Sequence, residues 1–194
     1  MKRRVVLASS SPYRRRLLTR IGVDFDVRVP EVDERPLQLS GRAPEAIAVE
    51  LAQKKAVAVA CANDEVVIAS DQVVAFEDTI LGKAPTREAA CAQLQRLAGA
   101  EHRLLTAVHV LFDAGRGARA WVDVTTMRMR SLSPASIARY VDRDEPYDCA
   151  GAYKFEAAGI ALFESLQTED PTAIEGLPLL RLIRVLGELG VEVP

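Results

Sequence analysis

The chain has 194 residues, of which 49% are hydrophobic, and its 25 basic and 27 acidic residues give a formal net charge of −2. A chain of this length and composition can bury the core of one globular domain or of two small lobes. The near-neutral charge argues against a nucleic-acid partner, and no apolar run approaches the roughly 20 residues that span a bilayer. We therefore expect no nucleic-acid partner and no membrane partner, and any basic site must be local.

The N-terminal residues and the cysteines predict a cytoplasmic location. Met1–Arg4 is similar to the basic start of a secretion signal, but the apolar run Val5–Ala8 that follows is too short to complete one. Cys61, Cys91 and Cys149 are odd in number and far apart, so the sequence predicts neither a disulfide framework nor a zinc site. A reducing compartment fits this cysteine pattern.

The first half of the sequence alternates short apolar runs with segments whose apolar residues recur at helical spacing. Serine before proline marks a helix start, and glycine marks a helix end. The predicted elements are a strand over Val5–Ala8, a helix from Pro12 to Gly22, a strand over Phe25–Val29, a polar loop to about Ala43, a helix from Pro44 to Ala60, and a strand over Glu65–Ala69 that the polar residues Ser70–Gln72 interrupt before Val73 and Val74.

The second half contains two long strand-like segments joined by a glycine-rich turn, which is typical of a β-hairpin. This hairpin breaks the regular strand–helix alternation of a doubly wound sheet, so we predict a mixed α/β fold with a partly antiparallel sheet flanked by helices. The predicted elements are a helix over Thr86–Leu97, strands over His102–Phe112 and Ala118–Arg130, a helix from Ser133 to Val141, a strand over Ile160–Phe163 and a helix over Leu177–Leu189.

The segment Leu7–Leu18 places three serines, a proline and three consecutive arginines between two apolar runs. Serine hydroxyls and backbone N–H groups at a helix N-terminus, together with arginine side chains, are typical of a phosphate-binding site. The alternative is a charged helix start that faces solvent. The helix dipole disfavours basic residues at this end, where Arg14–Arg16 stand, so the pattern favours an anion site.

Acidic residues occur in two places that suit catalysis or metal binding. Asp71 interrupts an apolar strand, where a carboxylate is held rigidly as a metal ligand or general base, although such an aspartate taken alone is more often a turn residue. The oxygen atoms of the acidic cluster Glu31–Glu34 suit Mg²⁺ or Mn²⁺, and the alternative is a solvated run of charges. Lys55 and Lys83 are candidate phosphate ligands, but exposed lysines without such a role are more frequent.

Seven motifs follow one another along nearly the whole chain: LASSSPYRR, PEVDE, AQKKA, ASDQVV, LGKAPT, DEPYDCAGAYKFE and EGLPL. In this order and spacing they resemble the Maf family of nucleoside triphosphate pyrophosphatases. The resemblance implies a single Maf-like domain over residues 1–194, with a fold related to that of the inosine triphosphatases and two lobes around a central cleft. It also implies a nucleoside triphosphate substrate, a divalent Mg²⁺ or Mn²⁺ cofactor and a possible homodimer.

The reaction that the resemblance implies is hydrolysis between the α and β phosphates, which yields a nucleoside monophosphate and pyrophosphate. Matched to the family pattern, Asp71 becomes the general base that activates water, and Glu34 shares the metal ion with it or orients that water. The residues that would bind the triphosphate and neutralise charge on the leaving pyrophosphate are Ser9, Ser11, Arg14, Arg15, Lys55 and Lys83.

Three positions predict which base the enzyme accepts. Tyr13, Gln72 and Glu156 stand where the family branch that acts on dTTP and UTP has arginine, threonine and glutamine, and they resemble the branch that acts on 7-methyl-GTP instead. An aromatic ring can stack on the positively charged 7-methylguanine with a cation–π contribution. The carboxylate of Glu156 can accept hydrogen bonds from the guanine N1–H and amino groups while it offsets the charge of the base. We therefore predict that the protein hydrolyses 7-methyl-GTP and in this way removes modified nucleotides.

The sequence leaves two alternatives open. The first is a pyrophosphatase of the same family that prefers dTTP or UTP. The second is a non-catalytic nucleotide-binding regulator of cell division, which would need the phosphate-binding turn but neither the general base nor the metal-binding acids. The presence of both Asp71 and Glu34 favours the enzyme.

Overall fold

A computed structural model describes residues 3–77 and 79–193 of the chain. Its strands are β1 (Arg4–Leu7), β2 (Phe25–Val27), β3 (Glu65–Phe76), β4 (Thr79–Leu81), β5 (Glu101–Phe112), β6 (Gly117–Met129) and β7 (Phe163–Gln167). Its helices are α1 (Pro12–Arg20), α2 (Arg35–Gln38), α3 (Pro44–Val57), α4 (Arg87–Leu97), α5 (Pro134–Asp144) and α6 (Leu179–Glu188), and 3₁₀ turns span Ala158–Leu162 and Pro171–Glu175.

The seven strands form one mixed sheet in the order β2-β1-β3-β5-β6-β7, and β4 also pairs with β3. Strand β1 is parallel to both β2 and β3, with Leu7 opposite Val27 and Ile68. Strands β3 and β4 are antiparallel, and so are β6 and β7. The predicted mixed α/β class, with a partly antiparallel sheet flanked by helices, is therefore confirmed.

The chain divides into two compact units. The first contains the residues up to Gln72, Thr106–Asp123 and the residues from Asp170 onwards, and the second contains Val73–Leu105 and Val124–Glu169. The predicted organisation as one Maf-like domain with two lobes around a cleft stays a prediction. Over residues 3–77 and 79–193, no helix combines the length and the apolar character needed to cross a membrane.

In the first unit, alternate residues of β3 pack against different helices, because successive side chains of a strand point to opposite faces of the sheet. Val66 and Ile68 belong to an apolar cluster that includes side chains of α1 and α6. Val67 and Ala69 belong to a separate cluster with Ala56 of α3. Helix α3 therefore covers one face of β3, and α1 and α6 cover the other.

In the second unit, an aromatic cluster surrounds a buried histidine. His102 Nε2 lies 2.9 Å from the Tyr153 hydroxyl oxygen, and the rings of Tyr153 and Phe163 meet edge to face with centroids 5.0 Å apart. Burial lowers the pKa of His102 to about 4. The imidazole is therefore neutral near pH 7 and packs as part of the core.

The predicted helix starts at Ser11, Thr86 and Ser133 are confirmed. In each case the side-chain oxygen accepts a hydrogen bond from the backbone N–H three residues later in the chain. These contacts satisfy N–H groups that the first turn of a helix leaves without a partner. The end of the first helix is also as predicted, since the helix stops at Arg20 and Gly22 follows with a φ of 69°.

Two of the predicted strands are wrong in detail, and three short elements were not predicted. Strand β3 runs through Ser70–Gln72 without interruption, because those polar side chains find partners on both faces of the sheet. Residues 160–162 belong to a 3₁₀ turn and not to a strand, because the chain folds back here and the Gly159 N–H donates to the Lys154 carbonyl oxygen at 2.9 Å. A Cβ on Gly159 would lie 2.3 Å from that oxygen. The elements not predicted are α2, inside the expected polar loop, β4 and the 3₁₀ turn over Pro171–Glu175.

At the start of β3, two arginines hold the buried carboxylate of Glu65. Arg28 donates hydrogen bonds to its two oxygens at 2.9 and 2.6 Å, and Arg4 Nη2 lies 3.0 Å from Oε1. The hydrogen bond from Arg28 outweighs the effect of burial and lowers the pKa of Glu65 from 4.5 to about 2. Because the folded-state pKa is the lower one, the stabilisation is present above about pH 4.5 and is lost as the pH falls towards 2.

We expect Glu65→Gln to lower the free energy of unfolding near pH 7 by about 2 kcal/mol, since it weakens hydrogen bonds to a charged, buried group. The difference from the wild type should shrink as the pH falls from about 4.5 towards 2, because the unfolded chain then takes up a proton at Glu65 that the folded wild type takes up only near pH 2. Urea unfolding across this range measures both effects. Glu164→Gln is the matched control, because Glu164 is exposed and lies 3.6 Å from Arg128. A difference that does not change with pH would contradict the assignment.

Candidate active site

The serine-rich turn after β1 holds Arg14 at the N-terminus of α1. The backbone N–H of Ser11 donates to Ser9 Oγ at 3.1 Å, and Arg14 Nη1 donates to the same oxygen at 3.3 Å. Ser11 Oγ accepts the backbone N–H of Arg14 at 3.4 Å. The first turn of α1 contains no acidic residue, so the positive end of the helix dipole and the guanidinium suit an anionic ligand.

Arg14 is further held by a backbone carbonyl and by the field of two acids. Its Nε donates to the carbonyl oxygen of Gly176 at 3.0 Å. Burial lowers the pKa of Arg14, and the charges of Asp71 and Glu34 oppose that shift. A guanidinium stays protonated in proteins, so the turn presents a fixed positive charge.

Two other predicted site residues, Arg15 and Tyr13, lie in α1. Arg15 is exposed on the surface of α1. The guanidinium carbon of Arg16 lies over the ring of Tyr13, 4.9 Å from its centroid. In this structure Arg16 therefore makes a cation–π contact with the ring that we predicted to stack on the base, and the roles of Tyr13 and Arg15 stay predictions.

Lys55 of α3 lies between two carboxylates. Its Nζ is 2.5 Å from Asp71 Oδ1 and 2.7 Å from Glu34 Oε1. The Asp71 residue is only 5% exposed, whereas Glu34 is more accessible. The structure thus brings together three predicted site residues that lie far apart in the sequence.

The acidic cluster Glu31–Glu34 separates into different roles. Asp33 Oδ1 accepts the backbone N–H of Arg35 at 3.1 Å and so stabilises the start of α2. Glu34 Oε2 accepts a hydrogen bond from Gln38 at 3.3 Å, while its other oxygen contacts Lys55. Of the three acids in the cluster, Glu34 is therefore the one that the structure places beside Lys55.

The environment of Asp71 makes it more basic than an exposed aspartate. Burial raises the pKa of this carboxyl, and the charge of Glu34 adds to the increase. The charge and hydrogen bond of Lys55 and the charge of Arg14 oppose it. A buried carboxylate whose pKa is shifted by specific charged neighbours is typical of a general base.

The donor set fits a hard divalent cation that arrives with phosphates. Within the described part of the chain, no group of three or more His, Cys, Asp or Glu side chains is placed to hold a metal ion. Mg²⁺ commonly needs only one or two protein carboxylates when substrate phosphates and water complete its coordination. Asp71 and Glu34 converge on one ammonium group, so their oxygens are arranged around a shared cation.

The remaining polar residues of β3 bind a segment before α6. Ser70 Oγ donates to the Gly176 carbonyl oxygen at 2.9 Å. Gln72 Nε2 donates to the carbonyl oxygens of Ala173 and Ile174 at 2.8 and 3.2 Å. Sequence reasoning did not assign Ser70 or Gly176 to the site, although the EGLPL motif that contains this glycine was a signal.

Lys83 and Glu156 belong to the second unit, and both are exposed. The backbone of Lys83 pairs with Ala150 in an isolated antiparallel bridge. The loop between Ala150 and Glu156 is fixed by Lys154, whose Nζ lies 3.2 Å from Asp148 Oδ1 and whose backbone N–H donates to the Tyr140 hydroxyl at 2.8 Å. The functional roles of Lys83 and Glu156 stay predictions.

The family model of Maf-like protein matches residues 4–189. The chain belongs to the Maf family. Among the relatives of this Maf protein, a 7-methyl-GTP pyrophosphatase of Xanthomonas oryzae pv. oryzae (strain KACC10331 / KXO85) is 46% identical over the full length of both chains. One of the same name from Bdellovibrio bacteriovorus is 43% identical, over 95% of this chain and 96% of that protein, and one from Pseudomonas aeruginosa is 41% identical over 98% of each.

A solved structure supports the fold of this Maf protein. A HAM1 protein from Coxiella burnetii superposes with a TM-score of 0.50 over 96% of this chain and 99% of that one. The two sequences are 15% identical, so the comparison establishes the fold alone.

We expect Lys55→Gln to raise the pKa of Asp71 further, because it removes both the charge and the hydrogen bond that oppose the effect of burial. NMR titration of carbon-13-labelled aspartate carboxyl groups measures this pKa directly. Lys54→Gln is the matched control, since Lys54 is adjacent in sequence but pairs with Glu50 at 3.0 Å. An Asp71 pKa that is the same in Lys55→Gln as in the wild type would disprove the electrostatic coupling.

Proposed function

We propose that this Maf protein hydrolyses 7-methyl-GTP to 7-methyl-GMP and pyrophosphate. The observation that carries the proposal is the buried carboxylate of Asp71, which shares the Lys55 ammonium with Glu34 and is within electrostatic reach of Arg14. Relatives that are 41% to 46% identical along nearly their whole length, and that bear the name 7-methyl-GTP pyrophosphatase, support the choice of nucleotide.

In the proposed mechanism, Asp71 accepts a proton from the attacking water. The water oxygen forms a bond to the α-phosphorus, and the bond from that phosphorus to the oxygen bridging the α and β phosphates breaks. The bridging oxygen leaves with pyrophosphate, and the water oxygen stays on the nucleoside monophosphate. Burial makes Asp71 a stronger base than an exposed aspartate, while the positive charges of Lys55 and Arg14 help to keep it ionised.

The positively charged and hydroxyl side chains bind the triphosphate in this proposal. Negative charge builds up on the leaving pyrophosphate, and fixed donors directed at that charge lower the barrier. Arg14 is a fixed donor of this kind, since both Ser9 and Gly176 hold its guanidinium. The residues proposed for this role are Ser9, Ser11, Arg14, Arg15, Lys55 and Lys83.

Glu34 and Asp71 are proposed to hold Mg²⁺ or Mn²⁺. A divalent ion bound there would supply further neutralisation of charge on the triphosphate. The two carboxylates already converge on one cation, the Lys55 ammonium, which supports this assignment.

We propose one role in base recognition for Tyr13 and another for Glu156. The ring of Tyr13 already attracts the Arg16 guanidinium, which supports its capacity to stack on a positively charged base. Glu156 is an exposed acid at the end of a loop that other contacts fix, so its carboxylate is accessible to guanine donors.

We further propose a cytoplasmic protein with no nucleic-acid or membrane partner, and a homodimer as the family resemblance implies. Cys61, Cys91 and Cys149 are odd in number and far apart in the sequence, which supports a reducing compartment. The net charge of −2 supports the absence of a nucleic-acid partner.

We expect Asp71→Asn to lower kcat for pyrophosphate release by at least about a hundredfold, because the amide cannot accept the proton from water. The assay is pyrophosphate release from 7-methyl-GTP with Mg²⁺ or Mn²⁺, with the fold of each variant checked by circular dichroism. Asp142→Asn is the matched control, since Asp142 is an exposed partner of Arg87. Full activity in Asp71→Asn would remove this residue as the base.

We expect the wild type to prefer 7-methyl-GTP in a panel with GTP, dTTP, UTP and inosine triphosphate. Glu156→Gln should reduce that preference by about tenfold, because the amide no longer offsets the charge of the base. Glu164→Gln, an exposed acid of the same unit, is the control and should leave the preference unchanged. Preference for dTTP or UTP would replace the proposed substrate. Binding of nucleotide without any turnover would instead favour the non-catalytic regulator.

A further inference from the structure

The guanidinium of Arg14 is fixed by acceptors that leave its charge intact. Its Nε and Nη1 donate to Gly176 and Ser9, which uses two of the five N–H groups. Both acceptors are neutral, so they offset part of the cost of burying the guanidinium without forming an ion pair. Among residues 3–77 and 79–193, Gly176 and Ser9 are the hydrogen-bond acceptors of the guanidinium, which leaves other N–H groups and a positive charge for an anionic substrate.

The carbonyl of Gly176 is itself held in place. Ser70, which is fully buried in β3, donates to this oxygen at 2.9 Å. Gly176 has a φ of 101°, and a Cβ at this position would lie 3.3 Å from Arg14 Nε. The backbone conformation therefore favours glycine strongly, and the close approach of Arg14 leaves little room for a Cβ.

Side chains of β3 and β5 also fix the residues before Gly176. Gln72 Nε2 donates to the carbonyl oxygens of Ala173 and Ile174, and also to Thr106 Oγ1 at 2.9 Å. The Thr106 hydroxyl donates in turn to the Ala173 oxygen at 3.0 Å. The carbonyl segment, which we define as Ala173–Gly176, is thus bound at three of its four carbonyl groups.

A buried carboxylate anchors the start of the same segment to α6. Asp170 Oδ1 accepts the backbone N–H and the hydroxyl of Thr172 at 2.9 and 2.6 Å. Its Oδ2 accepts the backbone N–H of Leu180 at 2.6 Å. The position of the Gly176 oxygen is therefore fixed from both ends of the segment.

We infer that the carbonyl segment is a positioning element for Arg14, and that Ser70, Gln72 and Thr106 act on catalysis through it. This inference rests on the proposed function, because it assumes that Arg14 binds the triphosphate. It also gives Gln72 a positioning role in addition to the predicted role in base choice, which stays a prediction. The amide hydrogens of Gln72 are directed at the carbonyl segment and Thr106, so this end of the side chain orients Arg14 through the segment.

The test compares buried hydroxyl deletions inside and outside this network. Ser70→Ala and Thr106→Val each remove one donor to the carbonyl segment. Thr125→Val is the matched control, since Thr125 is as buried as Thr106 and loses a hydroxyl contact of 3.0 Å to Thr168 in the second unit. The measurements are kcat and KM for 7-methyl-GTP, Kd for magnesium tripolyphosphate by calorimetry, and Tm.

We expect Ser70→Ala and Thr106→Val each to lower kcat/KM and the affinity for tripolyphosphate by about tenfold, since each releases one constraint on Arg14. Thr125→Val should lower Tm by a similar amount but keep both values within about twofold of the wild type. Equal losses in Thr106→Val and Thr125→Val at equal Tm would overturn the inference.

A double-mutant cycle with Arg14→Lys separates positioning from general structure. Lysine lacks the planar Nε–H that binds Gly176, so Ser70→Ala should cost less than about a further twofold in the Arg14→Lys background. A full tenfold loss in that background would show that Ser70 acts independently of Arg14 and would overturn the inference.

Failure of the proposed function gives a different result. If the wild type releases pyrophosphate from no nucleotide, the proposed function is wrong, and the same cycle measured as tripolyphosphate affinity decides the inference alone. Coupling between Ser70 and Arg14 in that affinity would support the positioning role. If that wild type also binds no tripolyphosphate, the inference is overturned together with the proposed function.

Discussion

Three consecutive polar side chains in the buried strand β3 determine how the candidate site is built. A buried hydroxyl, carboxylate or amide that lacks a partner is costly, so each of Ser70, Asp71 and Gln72 requires one. Because successive residues face opposite sides of the sheet, Asp71 needs a partner on the α3 side, and its neighbours need partners on the side of α1 and α6. Lys55 is the partner of Asp71, and the carbonyl segment is the partner of Ser70 and Gln72. One strand therefore connects the Asp71–Lys55 contact to the segment that holds Arg14.

The chemistry proposed for Asp71 depends on a balance between burial and charge. A buried carboxylate without a cation nearby would be protonated and could not accept a proton from water. An exposed carboxylate in a close ion pair would be ionised but weakly basic. Asp71 lies between these limits, because Lys55 and Arg14 only oppose the increase in pKa that burial causes. Its basicity therefore depends on α1, α3 and β3 together.

The sequence predicted the features that depend on local patterns. The cap at Ser11 and the turn that leads to Arg14 are encoded within a few residues, and helix-start rules are sufficient to find them. The continuity of β3 was missed, since periodicity cannot show that a polar residue inside an apolar run has a partner elsewhere in the chain. The family resemblance pointed to Lys55 and Asp71, but their direct contact joins residues 16 positions apart and follows from tertiary packing alone.

The carbonyl oxygens of the carbonyl segment and the side chains that donate to them differ in how a mutation can affect them. Every amino acid supplies the same backbone carbonyl, so side-chain replacements at Ala173 or Ile174 leave those acceptor atoms in the chain. Alanine replacement of Ile174 would therefore overlook the contribution of its carbonyl group. A mutation can alter the geometry of these acceptors chiefly at the donors on β3 and β5. It can also do so at Gly176, whose backbone angle only glycine adopts readily.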